Sequence, residues 1–238
     1  MKAIILAAGR GERMRPLTDL CPKPLLEVRG KPLIEWHLEA LARDGVREVV
    51  INTAWLEQQI VDALGDGSRW GLAIRYSLEG RDHGGALETA GGIAKALPLL
   101  TDAATDCFWV VSGDVFVPGF RFDTRTAERF AASPLLAHLW LVANPPYHAH
   151  GDFGIDAQGF GLADHSGPDA RRWTYANLAL CRASLFGGIV PGKKAALGPL
   201  LFDAMRERRI SAELHAGEWE NVGTPQQLAA LNARRTGS

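Results

Sequence analysis

The first 114 residues alternate short, wholly apolar runs with helical patterns, and that rhythm leaves few folds open. "KAIILAA" is apolar over the length of a strand, and "PLIEWHLEALARDG" then sets Leu33, Ile34, Leu38 and Leu41 near helical spacing between Pro32 and Gly45. "REVVINT" reads as a second strand, "WLEQQIVDALG" as a second helix and "LAIRYSLE" as a third strand. "LETAGGIAKAL" reads as a weaker helix, because Gly91 and Gly92 lie inside it, and "CFWVVSGD" as a fourth strand. A strand that is apolar at every position is buried on both faces, as parallel strands under helical crossovers are. Strand and helix in strict alternation require right-handed crossovers, so the chain is expected to be an α/β protein. The expected architecture is Rossmann-like, a mostly parallel mixed sheet with helices on both faces.

From about Leu135 the rhythm changes. Apolar runs at "LLAHLWLVA", "DFGIDAQGFGLA" and "WTYANLALC" are separated by turns rich in proline and glycine, and the middle run reads as a hairpin about "AQG". Helix "LGPLLFDAMRERR", strands within "ISAELHAGEWENVG" and helix "PQQLAALNARR" close the chain. This half is expected to be an antiparallel extension of the first sheet. At 238 residues and 47% hydrophobic, the chain suits one domain, 1–238, with halves at 1–134 and 135–238.

In an open parallel sheet ligands bind beyond the carboxyl ends of the strands, and the unusual residues fall there. The first strand runs into "LAAGRGERMRPLT", the second ends at Asn52 and Thr53, the third at Glu79 and Gly80, and the fourth at Ser112, Gly113 and Asp114. Gly9 and Gly11 allow backbone N–H groups to approach phosphate oxygens, and Arg13 and Arg15 add charged donors. Residues 1–31 hold seven Lys or Arg against three Asp or Glu, although the whole chain has a formal charge of −1. A polyphosphate fits that local field, while nucleic acid and an anionic membrane are not expected partners. The loop lacks the Gly-Lys-Ser/Thr of a Walker A motif, and Met14 stands where a dinucleotide fingerprint needs its third glycine.

Cys21, Cys107 and Cys181 are widely spaced and odd in number, which suggests a reducing cytoplasm and no disulfide framework. The N-terminal apolar run is too short for a signal peptide, and no stretch has the length of a membrane span. His148 and His150 with Asp152 lack the further ligands of a zinc site. A monomer or weak dimer is expected.

"LAAGRGERMRPLT" followed by "PKPL" and "GKPLI" resembles the opening of the sugar-1-phosphate nucleotidyltransferases. "EGRDHGGALETAGGI", "VVSGDVF" and "WENVGTPQQL" continue the resemblance in order, over essentially the whole chain. The resemblance implies that Ala8, Gly9, Gly11 and Arg13 hold the base and triphosphate, with Glu79, Glu88 and Thr89 also against the nucleotide. It further implies that Lys23 neutralises the α-phosphate or the incoming sugar phosphate, and that Asp114 binds Mg²⁺. Arg13, Lys23 and Asp114 are the expected catalytic residues. The family usually has a second aspartate before Val-Gly-Thr, where this chain has Asn221 after Glu220, so either residue could complete the metal site.

The reaction so implied is direct attack by a sugar 1-phosphate oxygen on the α-phosphorus of a nucleoside triphosphate, with pyrophosphate leaving. "NPPYHAHGDFGI" and the segment from Thr53 to Gly80 are similar to uridylyltransferases of cell-wall recycling that act on N-acetylmuramic acid α-1-phosphate. That likeness implies UTP as the donor and places Gly151, Asp152 and Asn177 near the sugar. Glucose or mannose 1-phosphate with UTP, dTTP or GTP, or a catalytically weak nucleotide binder, remain alternatives at this point.

Overall fold

The computed structural model describes residues 1–163 and 171–234. In chain order the elements of the first half are β1 (Lys2–Leu6), the short α1 (Leu17–Leu20), β2 (Glu27–Val28), β3 (Lys31–Pro32), α2 (Leu33–Arg43), β4 (Glu48–Thr53), α3 (Glu57–Leu64) and β5 (Ala73–Leu78). Next come α4 (Glu79–His83), α5 (Glu88–Leu100), β6 (Cys107–Ser112), β7 (Val115–Phe116), α6 (Thr124–Ala131) and β8 (Ala137–Val142). The chain ends with β9 (Gly154–Ile155), β10 (Gly161–Leu162), β11 (Thr174–Arg182), α7 (Leu197–Arg206), β12 (Ile210–Leu214), β13 (Glu220–Asn221) and α8 (Pro225–Ala233). Arg235, the last residue of the expected final helix, lies outside the described residues.

Seven strands form one sheet in the order β12-β8-β11-β6-β1-β4-β5. β5, β4, β1 and β6 are parallel neighbours, as the alternating first half requires. The antiparallel part of the second half is narrower than expected. β11 runs against both its neighbours and β9–β10 forms the hairpin, but β8 and β12 are parallel to each other. α6 returns the chain for β8 to run with β6, and α7 returns it after β11 for β12 to run with β8. The α6 sequence, "TRTAERFA", buries only Ala127 and Phe130 and so gives a faint helical signal, although Asp123 caps it by accepting from Thr126 N.

Period-two alternation explains the all-apolar strands. Ile5, Ile51, Trp109 and Val111 enter the core on one face of the sheet, and Ile4, Val50, Phe108 and Val110 enter the core on the other. The first core contains an aromatic knot in which Trp109 meets Phe122 edge-on at 5.1 Å and Trp140 at 5.2 Å between ring centres. The two glycines that weaken the intrinsic helicity of α5 let neighbouring segments approach its backbone closely. A Cβ on Gly92 would stand 2.5 Å from Glu79 Oε1, and one on Gly91 would stand 2.4 Å from the Lys193 carbonyl.

Register then aligns the strand ends. Leu6 pairs with Asn52 on one side and Ser112 on the other, and Asn52 pairs with Ser77. The turns after these strands therefore share one edge of the sheet. No helix among the described residues is long and apolar enough to cross a membrane.

Candidate active site

The glycine-arginine loop leaves β1 held by its neighbour strand. Ala7 N donates to Asn52 Oδ1 at 2.9 Å, and Asn52 Nδ2 donates to Glu79 Oε1 at 2.7 Å. Leu87 N donates to Glu79 Oε2 at 2.8 Å, so one carboxylate ties β4 to the start of α5. Gly11 has φ +67°, and its carbonyl accepts from Thr18 Oγ1 at 2.8 Å, which closes the loop on itself. The three arginines of the loop go different ways. Arg13 enters the site, Arg10 lies over the Trp55 ring, and Arg15 pairs with Asp19 at 2.8 Å. Arg15 is thus not the phosphate donor expected of it, because a carboxylate one helical turn away already satisfies it.

Lys23, between two prolines, is buried, and its Nζ donates to Asp114 Oδ2 at 2.8 Å. Asp114 sits at the tip of β6, where Gly113 N donates to the Leu6 carbonyl. The ribbon of β7 with β13 pairs Val115 with Asn221, and Val222 N donates to the Asp114 carbonyl at 2.9 Å. Two residues more than a hundred positions apart thereby become neighbours. Asn221 Oδ1 is buried and has no hydrogen-bond partner among the described residues.

The same ribbon turns Asn221 and Glu220 to different sides. Successive strand residues face opposite ways. Glu220 accepts from the Tyr147 hydroxyl at 3.2 Å and pairs with Arg234 at 3.4 Å, while Asn221 lines the cavity. Burial, with the Glu220 charge beside it, pushes the Tyr147 phenol up to about 12, which keeps it a proton donor to that carboxylate.

Two adjoining cavities, of about 560 and 750 Å³, open along this edge and share Leu6, Arg13, Glu88, Thr89 and Ser112 as walls. The smaller is lined by Ala8, Gly9, Gly11, Lys23 and Asp114 as well as the shared Arg13, Glu88 and Thr89. The larger is lined by Asp152, Asn177 and Asn221. Glu88 holds φ +60° at the first residue of α5 and Asn177 holds φ +59° at a register shift in β11, so both cavity residues sit in the left-handed region.

Two expected residues are placed elsewhere. Glu79 is fully buried with both carboxylate oxygens engaged, and it braces Asn52 and Leu87 beneath the site instead of facing a nucleotide. Burial raises its carboxyl above the usual carboxylate range, against the hydrogen bonds it accepts and the nearby Lys95 and His83. Gly151 lies outside the lining of both cavities. It turns the chain at φ +61°, where a Cβ would stand 2.7 Å from Asn144 Oδ1, and so presents Asp152. Asp152 Oδ2 accepts from Tyr175 N at 2.8 Å, and its Oδ1 is 3.0 Å from His148 Nε2.

The sequence reading did not find Arg172, which lines the larger cavity at the foot of β11. No spacing marks it, because a basic residue before a strand is ordinarily a solvated one.

His37 on α2 lies behind the β7 ribbon and is 2% exposed. Burial lowers its imidazole to about 4, opposed by a hydrogen bond to the Val115 backbone and by the Asp114 charge. The unfolded chain, with the ordinary value of 6.5, therefore binds a proton that the folded chain refuses. This contribution to stability is complete above that value and is lost as pH falls toward 4, by about 2 kcal/mol between pH 7 and pH 5. Urea unfolding at the two pH values should show this drop, and His37→Leu should reduce it by that amount; an unchanged difference in the variant would refute the assignment.

Known proteins resemble this chain over most of its length. The nucleotidyl transferase family model matches residues 2–159. N-acetylmuramate alpha-1-phosphate uridylyltransferase of Neisseria meningitidis is 48% identical over 236 residues, spanning 98% of this chain and 97% of the relative. The enzyme of the same name from Caulobacter vibrioides is 31% identical, over 98% of this chain and 96% of the relative. A crystal structure of a candidate glucose-1-phosphate thymidylyltransferase from Bacillus anthracis superposes with a TM-score of 0.79 at 20% identity, covering 100% of this chain and 97% of that one, and so shares the fold. With the family model spanning the loop, Lys23 and Asp114, and with relatives matched end to end, the chain belongs to the nucleotidyl transferase family, as a sugar-1-phosphate nucleotidyltransferase.

Proposed function

We propose that the protein transfers a uridylyl group from UTP to N-acetylmuramic acid α-1-phosphate, giving UDP-N-acetylmuramic acid and pyrophosphate. The observation that carries this reading is the shared wall of the two cavities. A nucleoside triphosphate in the smaller and a sugar phosphate in the larger would meet at Arg13, Glu88, Thr89 and Ser112. The choice of sugar and base is supported by the name and full-length coverage of the Neisseria relative.

In the reaction a phosphate oxygen of the sugar 1-phosphate forms a bond to the α-phosphorus as the bond from that phosphorus to the bridging oxygen of pyrophosphate breaks. The nucleophile is already an anion, so no general base is needed. The obstacle is the repulsion of two polyanions, and the chain answers it with position and charge. Gly9 and Gly11 expose backbone donors to the triphosphate, Arg13 takes its β- and γ-phosphates, and Lys23 neutralises the α-phosphate region. Asp114 fixes the Lys23 ammonium through their 2.8 Å contact.

A cation fits the donors present. Asp114 offers a carboxylate, and Asn221 offers a buried oxygen without a partner among the described residues. One or two protein donors completed by substrate phosphates is the set that Mg²⁺ prefers, and when bound it would neutralise charge developing on the α-phosphate. Asn221→Asp adds a charged donor, and the Mg²⁺ concentration for half-maximal activity is expected to fall about tenfold. An unchanged Mg²⁺ dependence would place the cation elsewhere.

The direct test mixes the purified protein with UTP, Mg²⁺ and N-acetylmuramic acid α-1-phosphate and follows pyrophosphate release and the sugar nucleotide formed. Glucose, mannose and N-acetylglucosamine 1-phosphates with UTP, dTTP and GTP serve as the panel. The proposal fails if another pair is turned over with a higher kcat/KM.

A further inference from the structure

We propose that Arg172 is a specificity-determining residue that binds a carboxylate carried by the sugar, in addition to the 1-phosphate held at the junction of the cavities. The inference rests on the reading of the larger cavity as the sugar site and names what that site recognises. Arg172 lines the larger cavity and not the smaller, so it stands apart from the triphosphate groups that Arg13 and Lys23 serve. Its position is built. The Arg172 carbonyl accepts from Asn144 Nδ2 at 3.0 Å, and its Nη2 donates to the Asp152 carbonyl.

The guanidinium nevertheless has unused donors. Among the described residues, Arg172 Nε is buried without a hydrogen-bond partner and no carboxylate forms an ion pair with Arg172. Asp152, whose carbonyl accepts from Arg172 Nη2, has its two carboxylate oxygens directed to His148 and Tyr175. The cavity beside it carries apolar walls from Phe153, Leu201, Phe202 and Trp219. A cation sheltered from water beside apolar walls is stabilised by an anion that accepts two of its donors at once, and a carboxylate has the matching geometry.

A simple hexose 1-phosphate has no such group, since its one anion is spent at the reacting end. N-acetylmuramate differs from N-acetylglucosamine by a lactic acid ether, which supplies one carboxylate on the far side of the ring from the 1-phosphate. Arg172 is therefore the residue that would tell the two sugars apart.

The experiment measures kcat and KM for the 1-phosphates of N-acetylmuramic acid and N-acetylglucosamine with wild type, Arg172→Met and Arg172→Lys. Arg172→Met should raise KM for the muramic substrate about thirtyfold, with kcat within about threefold, because a charged pair made equally in the bound and transition states is lost. KM for the neutral sugar should move less than about threefold, and Arg172→Lys should recover part of the loss without the bidentate contact. The wild type should discriminate against the methyl ester of the lactyl group as strongly as Arg172→Met discriminates against the acid, a readout that holds even if the variant folds poorly. An equal loss with both sugars, or no loss with either, overturns the assignment while leaving the transfer reaction standing. A wild-type enzyme that turns over only neutral hexose phosphates overturns the choice of N-acetylmuramate and the carboxylate site together.

Discussion

Asp114→Asn lowers kcat for pyrophosphate release by about a thousandfold and leaves a folded protein, the largest effect on activity expected of any conservative change. The loss corresponds to about 4 kcal/mol of transition-state stabilisation, the scale of a charged group acting on a transferring phosphoryl centre. The fold survives because an amide oxygen can still accept from Lys23 Nζ, which approaches Asp114 at 2.8 Å. Lys23→Met should cost a similar factor. The two residues work as a pair, so the double variant should lose far less than the product of the single losses. Single-turnover rates at saturating UTP, with thermal melting as the control for folding, measure all three. A loss below tenfold in Asp114→Asn would remove this residue from the chemistry.

Trp109→Ala has the largest expected effect on stability. Trp109 is 2% exposed and touches three aromatic rings, Phe122 and Phe120 edge-on and Trp140 near-parallel. Removing an indole from such a site forfeits its burial and leaves a cavity that rigid neighbours cannot refill, at a cost of about 3–5 kcal/mol. For a chain of this size that lowers Tm by roughly 10 °C, and it is a large part of the roughly 5–15 kcal/mol that holds an ordinary domain folded. Trp109→Phe should cost less than half as much. Urea unfolding followed by far-ultraviolet circular dichroism gives both values. A cost below about 2 kcal/mol for the alanine variant would mean that the knot is not the centre of its core. Because Trp109 lies on β6, the strand that leads into Asp114, the folded fraction of Trp109→Ala should also show reduced activity.

The parts of the site read from the sequence are those in which a short segment carries its own geometry. The glycines at 9 and 11 announce a backbone turned toward an anion, and Asp114 follows directly on a strand that is buried on both faces. The residues misread or missed are those whose partner or exposure is settled only once the chain is folded. Arg13 and Arg15 have the same side chain two positions apart, and only the fold shows that Asp19 occupies one of them. Glu79 looks like a nucleotide contact by position, but Asn52 and Leu87 N claim its oxygens below the cavity floor. Arg172 carries no pattern at all.

The sequence by itself determined the layered α/β plan and the edge of the sheet where the glycines and charged residues collect, since apolar periodicity and turn residues act over a few positions of chain. Only the tertiary structure decided that Asn221 and not Glu220 faces the site, that β8 and β12 run parallel, and that Lys23 and Asp114 meet across 91 positions. Those outcomes follow from pairing and packing between remote segments, and the direction of a side chain is settled by what competes for it on every neighbouring element.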